Sequence, residues 1–141
     1  MFVDANLAGD KSTRSSQKGV LIFINKAPIH WYIKIQATVE ASNFGAELCA
    51  IKAGVKMVKS LCYKLRIFGV PIDGSAIVLF DIESIYKNTI TLESVINRKH
   101  QYIAYRRCRE SVAAKNIRVY NQVTEQNLSY MFTKIITASR R

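Results

Sequence analysis

The sequence predicts a mixed α/β domain, a sheet of strands with helices laid on its faces, and three observations predict it. Before residue 36 the chain carries three separate runs of β-favouring residues, each bounded by turn chemistry. Between residues 42 and about 68 there is no proline, and apolar residues recur at helical spacing. Beyond that helix, two further strand runs, residues 76–81 and 117–121, are separated by helical patterns. The predicted order is βββ-α-β-α-(α)-β-α. At 141 residues this is one domain, long enough to bury a core.

Residues 2–7 read as a short strand, with Phe2, Asp4 and Asn6 on one face and Val3, Ala5 and Leu7 on the other. A polar loop follows over residues 8–18, in which Asp10 is expected to cap a turn. Residues 20–24 are apolar on both faces, Asn25-Lys26 turns the chain, and residues 29–35 supply a third strand. Trp31 in that strand is expected to be a core or sheet-packing aromatic. The long helix presents a stripe of Phe44, Leu48, Ile51, Val55, Val58, Cys62 and Leu65, and a second face of small residues around Ala46, Ala50 and Gly54. A helix apolar on two sides is packed on two sides, so it should be central. Lys52, Lys56 and Lys59 form its polar strip.

Gly69-Val70-Pro71 ends the helix. The strand run 76–81 is continuous enough to suit burial on both faces, and it finishes on Asp81. A short helix is expected over 82–88 and another over 99–114. A strand spans 117–121, and a closing helix spans 124–139 with Thr124 as N-cap. The domain is expected over 1–137, with 138–141 a disordered tail.

The formal net charge is +11, from 21 basic against 10 acidic residues, which favours a polyanionic partner, most simply nucleic acid. The best electrostatic footprint is the cluster Arg98, Lys99, Arg106, Arg107 and Arg109, with His100 solvated or facing phosphate. The strip Lys52, Lys56, Lys59 reads equally as a wet face or as phosphate contacts. No apolar run approaches the ~18 residues of a membrane span, and no signal-peptide pattern opens the chain. The cysteines, Cys49, Cys62 and Cys108, are odd in number and widely spaced. Reduced thiols in an intracellular protein, cytoplasmic or nuclear, are therefore expected.

Asp4 lies on the first strand, Asp81 at the end of the fourth, and Glu47 one turn inside the long helix. Taken alone, Glu47 is a first-turn carboxylate favoured by the helix dipole. If strands one and four are parallel neighbours, however, all three carboxylates can converge. They would then repel one another unless a divalent cation neutralised them, and oxygen donors suit Mg²⁺ or Mn²⁺.

The segments Val3-Asp4-Ala5-Asn6-Leu7-Ala8-Gly9-Asp10, Ala27-Pro28-Ile29-His30-Trp31, Lys34-Ile35-Gln36-Ala37-Thr38-Val39 and Ala46-Glu47 carry a resemblance. So do Phe80-Asp81, Arg98-Lys99-His100, Arg109-Glu110 and Thr133-Lys134. In order and in register, they resemble the ribonuclease H domain of copia-type LTR retrotransposon polyproteins. The resemblance implies the ribonuclease H-like fold, a five-stranded mixed sheet in order 3-2-1-4-5 with helices on both faces. It implies metal-dependent hydrolysis of the RNA strand of RNA–DNA hybrids, with two Mg²⁺ ions bound by carboxylates. Asp4, Glu47 and Asp81 match the first three of these. The abrupt ends of the chain fit a piece of a longer polyprotein with a reverse transcriptase segment alongside.

The fourth carboxylate aligns with Tyr130, a phenol that is neutral near pH 7 and a poor ligand for Mg²⁺. Ile82 stands where asparagine is usual, Gly45 where glutamate is usual, and Arg106 where histidine is usual. These departures point to weakened or lost hydrolysis. The alternative is a non-catalytic nucleic-acid-binding or interaction module, or an unselected relic, that retains the fold.

Overall fold

The structure, a computed structural model, describes residues 1–10, 12–81, 83–90, 99–123 and 126–134, with backbone alone for Asn88, Ile90, Lys99 and His100. The strands are β1 (Phe2–Asn6), β2 (Gln17–Ile24), β3 (Ala27–Ile35), β4 (Ala76–Phe80) and β5 (Ile117–Asn121). The helices are α1 (Asn43–Ile67), α2 (Glu83–Ile90) and α3 (Lys99–Ala113), and a 3₁₀ turn spans Leu128–Phe132. The strands form one sheet in order β3-β2-β1-β4-β5. β1 runs antiparallel to β2, and β2 to β3, whereas β4 is parallel to both β1 and β5. The expected sheet order is present, and so is the expected element order up to the closing segment.

α1 begins where its sequence says it should. Ser42 is extended, and its Oγ accepts the Gly45 N–H at 3.2 Å, satisfying one of the unpaired donors of the first turn. Lys64 and Arg66 in the last turn suit the negative end of the dipole. Leu48, Ile51, Val55 and Val58 are buried against the sheet face that carries Val3, Ala5, Val20 and Ile22. Each such side chain contributes roughly 1.5–3 kcal/mol through burial. On its other flank α1 packs against α3, whose Ala104, Tyr105 and Cys108 are buried. The helix is central, as its two apolar faces predict.

Three expectations are corrected. Trp31 is not a core aromatic: it is 65% exposed, together with Ile33 and Ile35 on the same side of β3. β3 is an edge strand, and the register pairing Trp31 with Leu21 puts the indole on the face that α1 does not cover, whereas a bulge at Ile22/Phe23 turns Ile29 towards α1. β4 is buried on one face only, with Val78 and Phe80 inside and Ile77 52% exposed. The closing segment, where described, is a 3₁₀ turn rather than an α-helix. Its cap is Asn127, whose Oδ1 accepts from Ser129 N at 3.1 Å while its Nδ2 donates to the Val3 carbonyl at 2.8 Å. That cross-link to β1 fixes the turn against the sheet. The expected cap Thr124 and the expected tail 138–141 lie outside the described residues.

The 3₁₀ turn lies on the sheet face opposite α1, and only a glycine in β2 lets it approach. A Cβ added at Gly19 would stand 2.9 Å from Thr133 Cγ2, 3.0 Å from Phe132 Cβ and 3.2 Å from the Ser129 carbonyl oxygen. Gly19→Ala is therefore expected to cost about 1–3 kcal/mol by overpacking, measured by urea unfolding. An unchanged unfolding midpoint would show that the turn is not seated as described.

Candidate metal centre

Asp4 occupies the middle of β1 and is fully buried. One of its oxygens, Oδ2, accepts a hydrogen bond from the Thr133 hydroxyl. The other, Oδ1, lies 3.5 Å from the Lys134 ammonium and accepts no hydrogen bond among the described residues. Glu47 sits on α1 where the helix crosses the end of β1. Its Oε1 accepts the Ala5 N–H at 2.8 Å, which locks the carboxylate, and its buried Oε2 accepts nothing among the described residues. Asp81 follows the last residue of β4, half-buried. Because β4 lies parallel beside β1, the three side chains emerge at one end of the sheet. Ligand oxygens from Asp4, Glu47 and Asp81 all lie within 4.8 Å of one another.

Among the described residues, the partnerless Glu47 Oε2, the Asp4 Oδ1 that meets only the Lys134 ammonium, and a third carboxylate form a set of hard donors, which fits a hard divalent cation such as Mg²⁺ or Mn²⁺. Without a divalent cation the arrangement is unfavourable, because Lys134 offsets only part of the charge. Burial pushes the Glu47 carboxyl well above its ordinary range, and the negative charges of Asp4 and Asp81 push it further. Burial also raises Asp4, against the opposing effects of Thr133 and Lys134. A carboxyl raised in the folded state keeps its proton after the unfolded chain has released it. Its contribution to stability is then complete below the ordinary value of 4.5 and is lost as pH rises through the folded value. In EDTA, the wild type should lose stability relative to Glu47→Gln as pH climbs from about 4.5 towards 8. Denaturant unfolding of both proteins across that range checks this, and parallel pH profiles would refute it.

Tyr130, the residue at the expected fourth carboxylate, lies in the 3₁₀ turn with its ring 4.4 Å from Lys134 Nζ. Gly45, where the resemblance expects glutamate, is explained by its surroundings. Glu40 is buried just before α1 and accepts from Thr38 Oγ1 at 3.1 Å and from Gln101 Nε2 at 3.3 Å. A Cβ at Gly45 would fall 2.5 Å from Glu40 Oε2 and 2.2 Å from Gln101 Nε2. The space for a side chain is already filled by a carboxylate from elsewhere in the chain. Gly45→Ala should gain about 1 kcal/mol of helix propensity yet destabilise the protein by about 1–2 kcal/mol net, because overpacking outweighs it. A raised melting temperature would overturn this account. Ile82 lies outside the described residues.

The basic residues divide. Lys52, Lys56 and Lys59 line a cavity of about 550 Å³ together with Lys18 of β2 and Arg107 of α3. Burial, and then Lys34 and Lys52 nearby, hold the Lys18 ammonium below its ordinary value, while Glu110 adds a carboxylate to the same lining. Arg106 and Arg109 instead lie against tyrosines of their own helix, over the Tyr102 ring at 5.6 Å and the Tyr105 ring at 5.4 Å. Arg98 and the side chains of Lys99 and His100 lie outside the described residues.

Thr133 and Lys134 beside Asp4, Lys18 in the basic cavity and Glu40 beside Gly45 are neighbours that pattern reading missed. Thr133-Lys134 was visible as part of a motif, but nothing in its spacing announces a partner about 130 residues earlier. Asp10 does cap its turn, accepting from Ser12 Oγ and Thr13 Oγ1 at 2.7 Å each, and these bonds lower its carboxyl to about 2. The cysteines are unpaired. Burial pushes Cys49 up to about 11 and Cys108 up to about 12, so neither thiol is reactive. No helix among the described residues is long and apolar enough to cross a membrane.

No protein-family model matches the chain. The retrovirus-related Pol polyprotein from transposon TNT 1-94 of Nicotiana tabacum is 25% identical over 146 residues, covering 99% of this chain and 10% of the polyprotein. The chain thus spans about a tenth of the length of that relative. Among solved structures, LC11-RNase H1, isolated from compost by a metagenomic approach, superposes with a TM-score of 0.65 at 17% identity, covering 89% of this chain and 84% of the other. RNase H1 from the halophilic archaeon Halobacterium salinarum NRC-1 gives 0.62 at 14% identity, covering 90% and 86%. LC11-RNase H1 in complex with an RNA/DNA hybrid gives 0.61 at 18% identity, covering 89% and 86%. The fold is that of ribonuclease H.

Proposed function

We propose that the chain is a ribonuclease H domain of copia-type retrotransposon origin. Its substrate is the RNA strand of an RNA–DNA hybrid, and its rate is lowered by Tyr130 at the fourth ligand position. The observation that carries this reading is the convergence of Asp4, Glu47 and Asp81 within 4.8 Å at one end of the sheet. These three would hold Mg²⁺ or Mn²⁺, two ions in a competent state. Bound there, the metal supplies an activated water and charge stabilisation at the leaving oxygen.

The protein's own residues do the positioning. The Ala5 N–H holds one Glu47 oxygen and leaves the other directed at its neighbours, and Thr133 does the same for Asp4. Lys52, Lys56, Lys59, Arg107 and Lys18 present a concave basic surface to backbone phosphates. Arg98, Lys99, His100, Arg106 and Arg109 are further phosphate contacts in this reading, on the charge of the sequence alone. Contacts of this type are insensitive to sequence and sensitive to salt. A reverse transcriptase segment flanking the domain in a parent polyprotein, and an intracellular site of action, complete the reading.

The lysine beside Asp4 favours a second reading, a module that binds the hybrid without cutting it. Incubation of an end-labelled hybrid with the protein in Mg²⁺ and then in Mn²⁺ separates the two. Cleavage of the RNA strand supports the enzyme. Tight, salt-sensitive binding with no cleavage, even by Tyr130→Asp, selects the binding module. Absence of binding at low salt would sink both.

A further inference from the structure

The acidic cluster already contains a cation. Lys134 Nζ lies 3.5 Å from Asp4 Oδ1, the one Asp4 oxygen that accepts no hydrogen bond among the described residues, and its side chain is only 30% exposed. The same ammonium lies 4.4 Å from the centre of the Tyr130 ring, within cation–π range. The backbone fixes this placement, since the Tyr130 carbonyl accepts from both Thr133 N at 3.2 Å and Lys134 N at 3.1 Å. Thr133 then bonds Asp4 through its hydroxyl, so successive residues of the turn are fixed on the same carboxylate. Asn127 and Gly19 hold the turn in place from below.

The geometry points to Lys134 as a built-in counter-ion of the acidic cluster, seated on Tyr130 and competing with a divalent cation for Asp4. On this view the phenol at the fourth position is not simply a lost ligand. It is an aromatic platform that keeps a monovalent charge where a divalent one would otherwise be held. An ammonium within 3.5 Å of Asp4 Oδ1 occupies the space that a metal bound to that oxygen requires. Coordination then demands that Lys134 swing out to solvent, which its partial exposure allows. The cluster would alternate between a lysine-compensated form and a metal-bound form, with the balance set by free metal concentration. The competition, though not the lysine contact itself, rests on the metal-centre reading.

The test measures binding and stability rather than hydrolysis. Isothermal calorimetry with Mn²⁺ alone is run on wild type, Lys134→Met and Lys134→Gln, and melting temperatures are recorded with Mn²⁺ and in EDTA. Both variants should bind Mn²⁺ at least about tenfold more tightly than wild type and show a larger rise in Tm on adding it. In EDTA, Lys134→Met should lower the Tm of the wild type but have little effect in an Asp4→Asn background. Equal or weaker Mn²⁺ affinity in both variants overturns the competition. Equal loss of Tm in the two backgrounds overturns the contact itself. Absence of Mn²⁺ binding in every protein, with the EDTA coupling present, overturns the metal centre while leaving Lys134 as the cluster's counter-ion. These failures are therefore distinguishable.

Discussion

Asp4→Asn should remove hybrid hydrolysis and, in the same protein, raise stability when no metal is present. The two effects have one cause. Asp4 is buried and sits among the oxygens of Glu47 and Asp81, so as a carboxylate it carries both a desolvation cost and like-charge repulsion. Thr133 and Lys134 offset only part of this, because the net shift of its carboxyl is still upward. An asparagine of the same shape can still accept from Thr133, and it removes the charge that also raises Glu47. In EDTA at pH 8 the variant should be more stable than wild type, because a carboxyl raised in the folded state is ionised there only at a net cost to stability. With Mn²⁺ the order should invert, since wild type gains binding energy that a neutral amide in its place cannot offer. Losing one charged oxygen donor should lower any Mn²⁺-dependent cleavage by at least about a hundredfold, a few kcal/mol of metal-derived stabilisation. A variant that is less stable in EDTA would mean that Asp4 is held mainly for its bonds to Thr133 and Lys134.

The strands, the long helix and their order were legible because hydrophobic period and capping chemistry are local properties. The start of α1 near residue 42 and residues 117–121 as a strand match in detail, since each depends only on its immediate neighbours. The convergence of Asp4 and Asp81 needed one further premise, that β1 and β4 are parallel neighbours, and the sheet supplies it. What stayed hidden was burial set by position in the sheet. Trp31 has a strong strand signal, but propensity does not reveal that β3 is an edge strand with an uncovered face. Gly45 reads as a degraded position from pattern alone, whereas Glu40 and Gln101 fill the space beside it. The closing turn was misread for a similar reason. Its helical periodicity is genuine, but Asn127 ties it to the Val3 carbonyl and a tight 3₁₀ path meets that constraint.

Tyr130→Asp is the second large effect, and its direction depends on Lys134. A carboxylate at this position would restore the oxygen donor that the ribonuclease H resemblance calls for, and it would remove the ring on which the ammonium rests. The new carboxylate would also attract that ammonium, since Lys134 lies within reach of both Asp4 and residue 130. Part of the added negative charge is therefore spent on the lysine. The single variant should raise Mg²⁺-supported cleavage by about tenfold, and Tyr130→Asp with Lys134→Met by about a further tenfold, each factor being ~1.4 kcal/mol. The double variant carries four carboxylates without an internal cation, so it should also be the least stable of the set in EDTA and the one most stabilised by Mg²⁺. Initial rates on a labelled hybrid and melting curves with and without Mg²⁺ test both parts. If the single and double variants cleave equally, Lys134 does not compete for the site. If neither exceeds wild type, the fourth position is not what limits this centre, and constraints outside the turn have to account for its rate.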